Sequence, residues 1–485
     1  MTITTKHPAW ALKHKKPGTE LRLMKGRYYL YEVSSKWNKE KKRAQKITGK
    51  ILGRITENKG FTPSGCKNQT TSQLKDLSVK TSGIGQFVES VTTDVLPALK
   101  KHFGDEAEAI HCASLMRLAH QSPLKNMELY FKHDFLSESF SEVSLSDKKM
   151  TSLLKSIGEN REKINAFFKE FSKPGEHMLM DMTAIHSKSK EMSLNHPGYN
   201  SQGNFDPQAN LLLLFSQTEH EPAYYRLLPG NIRDVKSVKL SLKEAGISDA
   251  VFIADKGFYS EDNIAELEKS QLQYVIPLKR NHTLIDYTPL QKRSKKGMDH
   301  HFKFQERYIF CTIKKIKEDT LLYTFLDDSL KLEEEQSYLN RIETQKEEKL
   351  SIKEFHKKAH TFGTFSILTN LIGKTPVEIY ELYKSRMEVE TAFDAFKNTL
   401  EADRSYMQND QSFEGWMFIN YIALLAYWRI LKILVKKELL SKFSIKDLLI
   451  HLSYIKKIKI NGQWHLAEIT NKTKKLLDKL GCAIT

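Results

Sequence analysis

Short runs of apolar residues recur through the middle of the chain, separated by polar or glycine-containing stretches. Their lengths and their β-branched, aromatic and leucine side chains predict strands. The predicted strands are residues 178–185, 210–216, 222–229, 250–255 and 274–278. Helices are predicted on either side of the fourth strand, from Asp234 to Gly246 and from a cap at Ser260 onwards. The predicted order is therefore β, β, β, α, β, α, β, which indicates an α/β domain.

The segments on either side of these strands have different patterns. Apolar residues at helical spacing predict a helical region over residues 81–175. Residues 286–362 are rich in Lys and Glu, contain strand-like pieces, and are predicted to be an insertion. The core is predicted to resume at residues 364–369, followed by one helix over about 376–400 and another from Phe413 onwards. The succession of strands and helices is that of a ribonuclease H-like fold.

Near the start of the chain, two β-type runs at residues 27–33 and 50–55 flank a basic stretch at residues 36–43. This pattern predicts a hairpin or a small sheet with a cationic connection. Aromatic residues among Lys and Arg suit nucleic acid, through phosphate pairing and base stacking. A small sheet with a charged, solvated turn explains the same residues, so both interpretations stay open.

The formal net charge of +17 is concentrated at the two ends of the chain. Residues 1–60 carry 16 Lys and Arg against 4 Asp and Glu, and residues 429–485 carry 13 against 4. Two basic ends around a mildly acidic middle suggest a polyanionic partner. The alternative is that this charge serves solubility alone.

The sequence suggests a cytoplasmic protein. The basic residues 1–16 include no apolar segment of the kind found in secretory signals. The most apolar run, residues 416–435, is interrupted by Asn420, Arg429 and Lys432, so a buried helix is expected rather than a membrane span. The four cysteines are far apart and are expected to be reduced and unpaired.

Two aspartates occupy strand positions where a charge is costly. Asp181 lies within the first predicted strand, and Asp255 ends the apolar fourth strand just before a glycine turn. Ligands of open α/β sheets gather at the carboxyl ends of strands, so a shared site is expected. Either aspartate alone is more simply explained as a helix cap or a turn residue.

A third acidic group is predicted on the helix over residues 376–400. At about 100° per residue, Tyr383, Arg386, Glu390 and Lys397 fall within an arc of roughly 60°. An apolar stripe is expected to bury the helix against the sheet; it comprises Leu382, Val389, Phe393, Phe396 and Leu400. Glu388 points away, and Asp394, near the arc, is the substitute for Glu390. The alternative is an ordinary i,i+4 ion pair between Arg386 and Glu390 on a solvated helix.

Asp181, Asp255 and Glu390 together predict a metal site. Three converging carboxylates need cations, and oxygen ligands without His or Cys suit Mg²⁺ or Mn²⁺. Two such ions can activate a hydroxyl and stabilise the leaving oxygen in phosphodiester chemistry. Arg386 and Lys397 are expected to bind phosphate nearby.

These residues carry a resemblance to a known family. Tyr383, Arg386, Glu390 and Lys397 match the gap-free Tyr-Arg-Glu-Lys signature of bacterial insertion-sequence transposases of the DDE class. Three further segments are similar to recurrent family motifs: Asp181-Met182-Thr183, Asp255-Lys256-Gly257-Phe258, and Gly230-Asn231 followed by Asp234. The likeness covers roughly residues 175–435.

The resemblance implies cut-and-paste DNA transposition, with metal-dependent endonuclease cleavage at the element's ends and strand transfer into target DNA. It implies that Asp181, Asp255 and Glu390 hold two Mg²⁺ or Mn²⁺ ions, and that Tyr383, Arg386 and Lys397 bind DNA. Dimers that pair two terminal inverted repeats and association with the bacterial nucleoid are expected as well. A transposase that has lost activity and only binds DNA, or a nuclease without strand transfer, are the alternatives.

The resulting domain prediction has six parts. They are a basic DNA-binding region (1–80), a helical region (81–175), the first half of the catalytic core (176–285), a β-rich or mixed insertion (286–362), the second half of the core (363–440) and a basic helical C-terminal region (441–485).

Overall fold

The computed structural model describes residues 7–38, 42–64, 77–171, 178–198, 206–231, 240, 243–244, 251–254, 256–291, 295–344 and 351–481. The chain divides into two units. One comprises Met1–Ser78 with Ile458–His465, and the other comprises Val79–Lys457 with Leu466–Thr485. Asp255 and most of the helix predicted from Asp234 to Gly246 lie outside the described residues.

The first unit contains an antiparallel four-stranded meander. Its strands are β1 (Thr19–Met24), β2 (Arg27–Asn38), β3 (Arg43–Thr56) and β4 (Gly60–Pro63), preceded by a short helix, Ala9–Leu12. Pairing of β2 with β3 confirms the predicted hairpin. Ala11, Leu21, Leu30 and Ile55 form a small core beneath the sheet. This core is limited to one end of the β2–β3 hairpin, because Ser34–Lys36 and the first half of β3 are exposed.

The second unit begins at Val79, within strand β5 (Ser78–Thr81), and continues with the predicted helical region. The helices are α1 (Gly83–Ser90), α2 (Val95–Phe103), α3 (Ala107–His120), α4 (Met127–His133), α5 (Asp147–Glu159) and α6 (Arg161–Phe171), with a short helix at Leu136–Ser139. Cys112 on α3 is buried and unpaired, as expected.

The three strands of the predicted meander pair with one another. They are β6 (Met178–Ser187), β8 (Pro207–Ser216) and β9 (Glu221–Pro229), with the short β7 (His196–Pro197) beside the start of β8. β8 lies in the middle and pairs antiparallel with both β6 and β9. Its side chains from Gln208 to Ser216 are all buried, because both faces of the strand are covered.

A second, six-stranded sheet follows. Its strands are β10 (Val251–Ile253), β11 (Gln273–Pro277), β12 (His300–Phe304), β13 (Arg307–Lys317), β14 (Thr320–Asp327) and β15 (Thr364–Thr369), in the order β10-β11-β15-β14-β13-β12. Among the described strands of this sheet, only β10 and β11 pair in parallel. β10 also lies beside β6 of the other sheet. The strands of residues 286–362 thus extend the sheet that contains β11, since β14 pairs with β15.

In the sequence, the helices of this part of the chain lie between the strands of the second sheet. They are α7 (Glu261–Lys269), α8 (Asp328–Glu343) and α9 (Ile352–Lys358), with a short helix at Thr288–Gln291. Ser260 caps α7 as predicted, since its hydroxyl accepts a hydrogen bond of 3.1 Å from the backbone N–H of Asn263. The chain as a whole is mixed α/β.

The sequence predicts one continuous helix over residues 376–400, and this prediction is wrong because the helix is interrupted at Ser385. The structure has α10 (Pro376–Lys384), α11 (Arg386–Asp394) and a π-helix, Ala395–Thr399. The Ser385 hydroxyl donates to the carbonyl of Leu382 at 2.6 Å, and the N–H of Glu388 bonds three residues back to Ser385. Local bonds of this kind compete with the regular hydrogen bonds of a helix, and the helix is interrupted here.

The chain ends with mainly helical elements. They are β16 (Arg404–Ser405), α12 (Asp410–Lys436), α13 (Ile445–Ser453), β17 (Lys456–Ile460), β18 (Gln463–Leu466) and α14 (Asn471–Leu480). β16 pairs with the end of β6. α12 packs on α3 and α5, and a Cβ added at Gly415 would lie 2.0 Å from the carbonyl oxygen of Leu154. Only glycine therefore permits this close approach of α12 and α5.

Helix α12 is long and apolar enough to cross a membrane when judged by length and composition. Two thirds of its most apolar window is buried inside the fold, and Asn420 in its middle is fully buried. We therefore interpret α12 as the core helix predicted from the sequence.

Candidate active site

Asp181 lies in β6, where it pairs with Leu213 of β8. Met180 before it is buried, and the Asp181 side chain itself is only 16% exposed. Its Oδ1 accepts a hydrogen bond of 2.8 Å from the backbone N–H of Met182. Burial raises the pKa of Asp181, and the nearby Arg386 opposes this shift. The ionised carboxylate therefore depends on a cation at this position.

Arg386 provides that cation from the first turn of α11, which packs against β6. Its Nη2 lies 3.1 Å from Oδ2 of Asp181, and its Nη1 lies 2.7 Å from Oε1 of Glu390. Arg386 is 15% exposed, whereas Glu390 is 51% exposed. The guanidinium thus joins a buried carboxylate on a strand to a solvent-accessible carboxylate on a helix.

The predicted apolar stripe explains how the helix reaches this position. Its five side chains, Leu382, Val389, Phe393, Phe396 and Leu400, are all buried. Glu388 points elsewhere, as predicted, and lies 3.1 Å from Nδ1 of His220. Asp394 is exposed and accepts a hydrogen bond of 2.6 Å from Asn398. Of the acidic residues on α11, Glu390 is the one that shares Arg386 with Asp181.

Lys397 lies in the π-helix and is partly buried. Burial lowers the pKa of its ammonium group, while the charges of Asp403 and Asp181 act in the opposite direction. Lys397 is therefore within electrostatic range of the Asp181 carboxylate, as expected from the sequence.

Tyr383 belongs to α10, which ends just before Ser385. Its ring packs on Phe365 of β15, with ring centroids 4.5 Å apart. The break at Ser385 places Tyr383 and Arg386 on successive helices, whereas the predicted arc assumed one continuous helix.

Sequence analysis missed a buried arginine that contacts the far end of this segment. Arg117 of α3 donates to the backbone carbonyl of Leu400, directly after the π-helix. It also donates to Oδ1 of Asn420 at 2.9 Å and to the carbonyl of Ser122 at 2.8 Å. No spacing in the sequence singles out Arg117, because an arginine in a helix is ordinarily solvent-exposed.

The donor set agrees with a hard divalent cation. Asp181 and Glu390 offer only carboxylate oxygens, which Mg²⁺ and Mn²⁺ prefer. Both carboxylates already share one cationic group, Arg386. Among the described residues, which exclude Asp255, no group of three or more His, Cys, Asp or Glu is close enough to hold a metal ion. Of the predicted trio, the described part of the chain thus includes Asp181 and Glu390 but not Asp255.

A comparison of the sequence with curated proteins finds none that matches. A cryo-EM structure of a piggyBac transposase synaptic complex with hairpin DNA is similar at 11% identity, with a TM-score of 0.38, and the match covers 76% of this chain and 79% of that one. A family model described as the transposase DDE domain matches residues 172–426, more than half of the sequence. The chain therefore belongs to the transposase DDE domain family and is a DDE transposase.

Proposed function

We propose that this enzyme cuts DNA at the ends of a bacterial insertion sequence and joins the freed ends to target DNA. The proposal includes a ribonuclease H-like core. It is supported by the spatial order β9-β8-β6-β10-β11, in which β10 lies beside β6 and runs parallel to β11. The Tyr-Arg-Glu-Lys signature adds support for the insertion-sequence type.

One observation carries the assignment of the site. Arg386 contacts Asp181 and Glu390 at the same time, so a strand carboxylate and a helix carboxylate converge on one point. Asp255, the third member of the proposed set, directly follows Ala254 at the end of β10 in the sequence. β10 lies beside β6, which supports the proposal that Asp255 joins Asp181 and Glu390.

In the proposed site, Asp181, Asp255 and Glu390 hold two Mg²⁺ or Mn²⁺ ions. The chemistry that such ions supply is activation of an attacking oxygen and stabilisation of the leaving oxygen. Arg386 orients Asp181 and Glu390 and favours the ionised form of the buried Asp181. Lys397, and Tyr383 from the adjacent helix, contact DNA near the cleaved end, with Lys397 binding phosphate.

The proposed reaction has two steps. Water first attacks a phosphorus at the element's end, and the bond to the 3′ oxygen breaks to leave a 3′-hydroxyl. That hydroxyl then attacks a phosphorus of the target strand, displaces another 3′ oxygen, and forms the new phosphodiester. We further propose that a homodimer pairs two terminal inverted repeats, that residues 1–80 contribute to DNA binding, and that the enzyme acts on DNA in the bacterial cytoplasm.

The test is incubation of the full chain with Mg²⁺ and a duplex that carries the inverted repeats flanking its reading frame. Joined products are expected. Nicks without joining would indicate a nuclease that lacks strand transfer. A shifted but uncut band would indicate a DNA-binding protein that has lost activity.

Matched variants test the residues. Asp181→Asn, Asp255→Asn and Glu390→Gln are each expected to abolish cleavage and joining. Glu388→Gln is the control, because Glu388 lies on the same helix but contacts His220. Cleavage that survives all three amide changes, or that is lost equally in Glu388→Gln, would refute the assignment.

A further inference from the structure

The β2–β3 hairpin extends beyond the small core that supports its other end. Ser34 pairs with Ile47, Lys36 with Gln45, and Asn38 with Arg43 along this extension. The β3 residues from Arg43 to Ile51 are all exposed, including Ile47 at 45%. An isolated two-stranded ribbon is only marginally stable in water, so this exposed ribbon is suited to contact with a partner.

The pairing divides the ribbon side chains between two faces, because directly opposed residues of an antiparallel pair point the same way. One face, here called the open face, carries Ser34, Lys36, Asn38, Arg43, Gln45 and Ile47. The opposite face carries Ser35, Trp37, Ala44 and Lys46. We call the latter the Glu20 face because Glu20 of β1 contacts Lys46.

The two faces differ in charge. On the Glu20 face, Lys46 and Arg22 both pair with Glu20, the latter at 2.9 Å, and these bonds lower the pKa of Glu20. On the open face, Asn38 donates to Oε1 of Gln45 at 3.2 Å. No ion pair to Lys36 or Arg43 is formed within the described residues, and Glu32, the acidic residue of β2 on the same side, lies four residues before Lys36 and outside this extension.

We propose that the open face of the ribbon binds duplex DNA by entering the major groove. A groove about 12 Å wide admits a two-stranded ribbon. Lys36 and Arg43 supply positive charge for phosphates, and Arg43, Asn38 and Gln45 are side chains that pair with guanine or adenine edges. The proposal rests on the function proposed above, in which DNA is the substrate, and adds the surface that recognises it.

The rival partner is a single strand. Trp37 on the Glu20 face is 61% exposed and could stack on an unpaired base. The charges disfavour this alternative, because Glu20 neutralises one of the two cations on that face, whereas no carboxylate of the described residues pairs with Lys36 or Arg43 on the open face.

The experiment compares two charge-matched double variants of the full chain. Fluorescence anisotropy with a labelled 40-base-pair random-sequence duplex, in EDTA to prevent cleavage, gives affinity as a function of salt. Lys36→Gln/Arg43→Gln is expected to weaken binding on the order of tenfold and to reduce the slope of log K against log salt by about 2. Arg22→Gln/Lys46→Gln removes the same charge, and its slope is expected to change by less than half as much.

Asn38→Ala/Gln45→Ala provides a second measurement on the open face. It removes no charge, so it is expected to weaken duplex binding several-fold with an unchanged salt slope. Unchanged melting temperatures in all variants establish that the small sheet stays folded.

Equal effects of the two charge variants would overturn the proposal, because net charge alone would then explain binding. So would an unchanged slope in Lys36→Gln/Arg43→Gln, or preferential binding of a 40-nucleotide single strand that Trp37→Ala abolishes. Failure of the unmodified chain to bind any DNA would instead refute the proposed function, so the two failures are distinguishable.

Discussion

Arg386 contacts Asp181 at 3.1 Å although 205 residues separate the two in the chain. The same guanidinium contacts Glu390 one turn further along α11. Arg386 therefore has a role beyond the phosphate binding expected from the sequence, because it holds the two carboxylates of the candidate site in a fixed relation.

Replacing Arg386 by lysine is expected to reduce DNA cleavage about 100-fold or more, because a single ammonium group cannot reproduce a planar fork that contacts two carboxylates. The measurement is the initial rate of cleavage of the repeat-bearing duplex. Arg341→Lys, an exposed change on α8, is the control. Activity within threefold of the unmodified enzyme would show that the bridge is dispensable.

Asp181→Asn is expected to stabilise the metal-free protein at pH 8, on the order of 1 kcal/mol. Folding raises the pKa of Asp181 through burial, so its charged form costs stability above the raised pKa, and this cost disappears as the pH falls and the group is protonated. The gain should therefore be larger at pH 8 than at pH 5. Urea unfolding at the two pH values measures it.

The exposed change Asp105→Asn is the control for that comparison. A pH-independent gain, or a loss of stability in Asp181→Asn at pH 8, would mean that the Arg386 ion pair outweighs the burial of the Asp181 charge.

Lys397→Ala is expected to weaken duplex binding about fivefold and to lower the salt slope by about 1, as for one lost phosphate contact. Lys374→Ala is the matched control, since Lys374 already pairs with Glu378 at 2.8 Å. Anisotropy in EDTA measures both. Identical slopes in the two variants would exclude Lys397 from the DNA surface.

Arg117→Met is expected to destabilise the protein by about 2–4 kcal/mol, because it leaves the buried Leu400 carbonyl and the Asn420 side chain without their donor. Lys169→Met on the exposed face of α6 is the control. Urea unfolding gives the difference in the free energy of unfolding. A change below about 0.5 kcal/mol, the scale of surface substitutions, would contradict the structural role of Arg117.

Much of the fold could be predicted because buried strands appear as short apolar runs. The predicted and observed bounds of β15 coincide, and β6, β8 and β9 differ from the prediction only at their ends. The buried stripe from Leu382 to Leu400 was likewise visible, since burial on one side of a helix imposes its period on the sequence.

The remaining features depend on contacts that no local pattern encodes. The helix is interrupted at Ser385, whose hydroxyl bonds to Leu382, and Lys397 lies in a π-helix rather than in a regular α-helix. Pairing of β14 with β15 joins the predicted insertion to the sheet of β11 through a long-range register. The sequence predicts that Arg386 and Asp181 lie on elements that face each other. It does not predict that the two side chains contact each other directly.

The central claim is that Asp181, Asp255 and Glu390 together bind divalent cations. Electron paramagnetic resonance of Mn²⁺ titrated into the full chain tests it without requiring activity. Bound Mn²⁺ is expected in the unmodified protein and in Glu388→Gln, and its loss is expected in Asp181→Asn, Asp255→Asn and Glu390→Gln. Undiminished Mn²⁺ binding in these three variants would contradict the account.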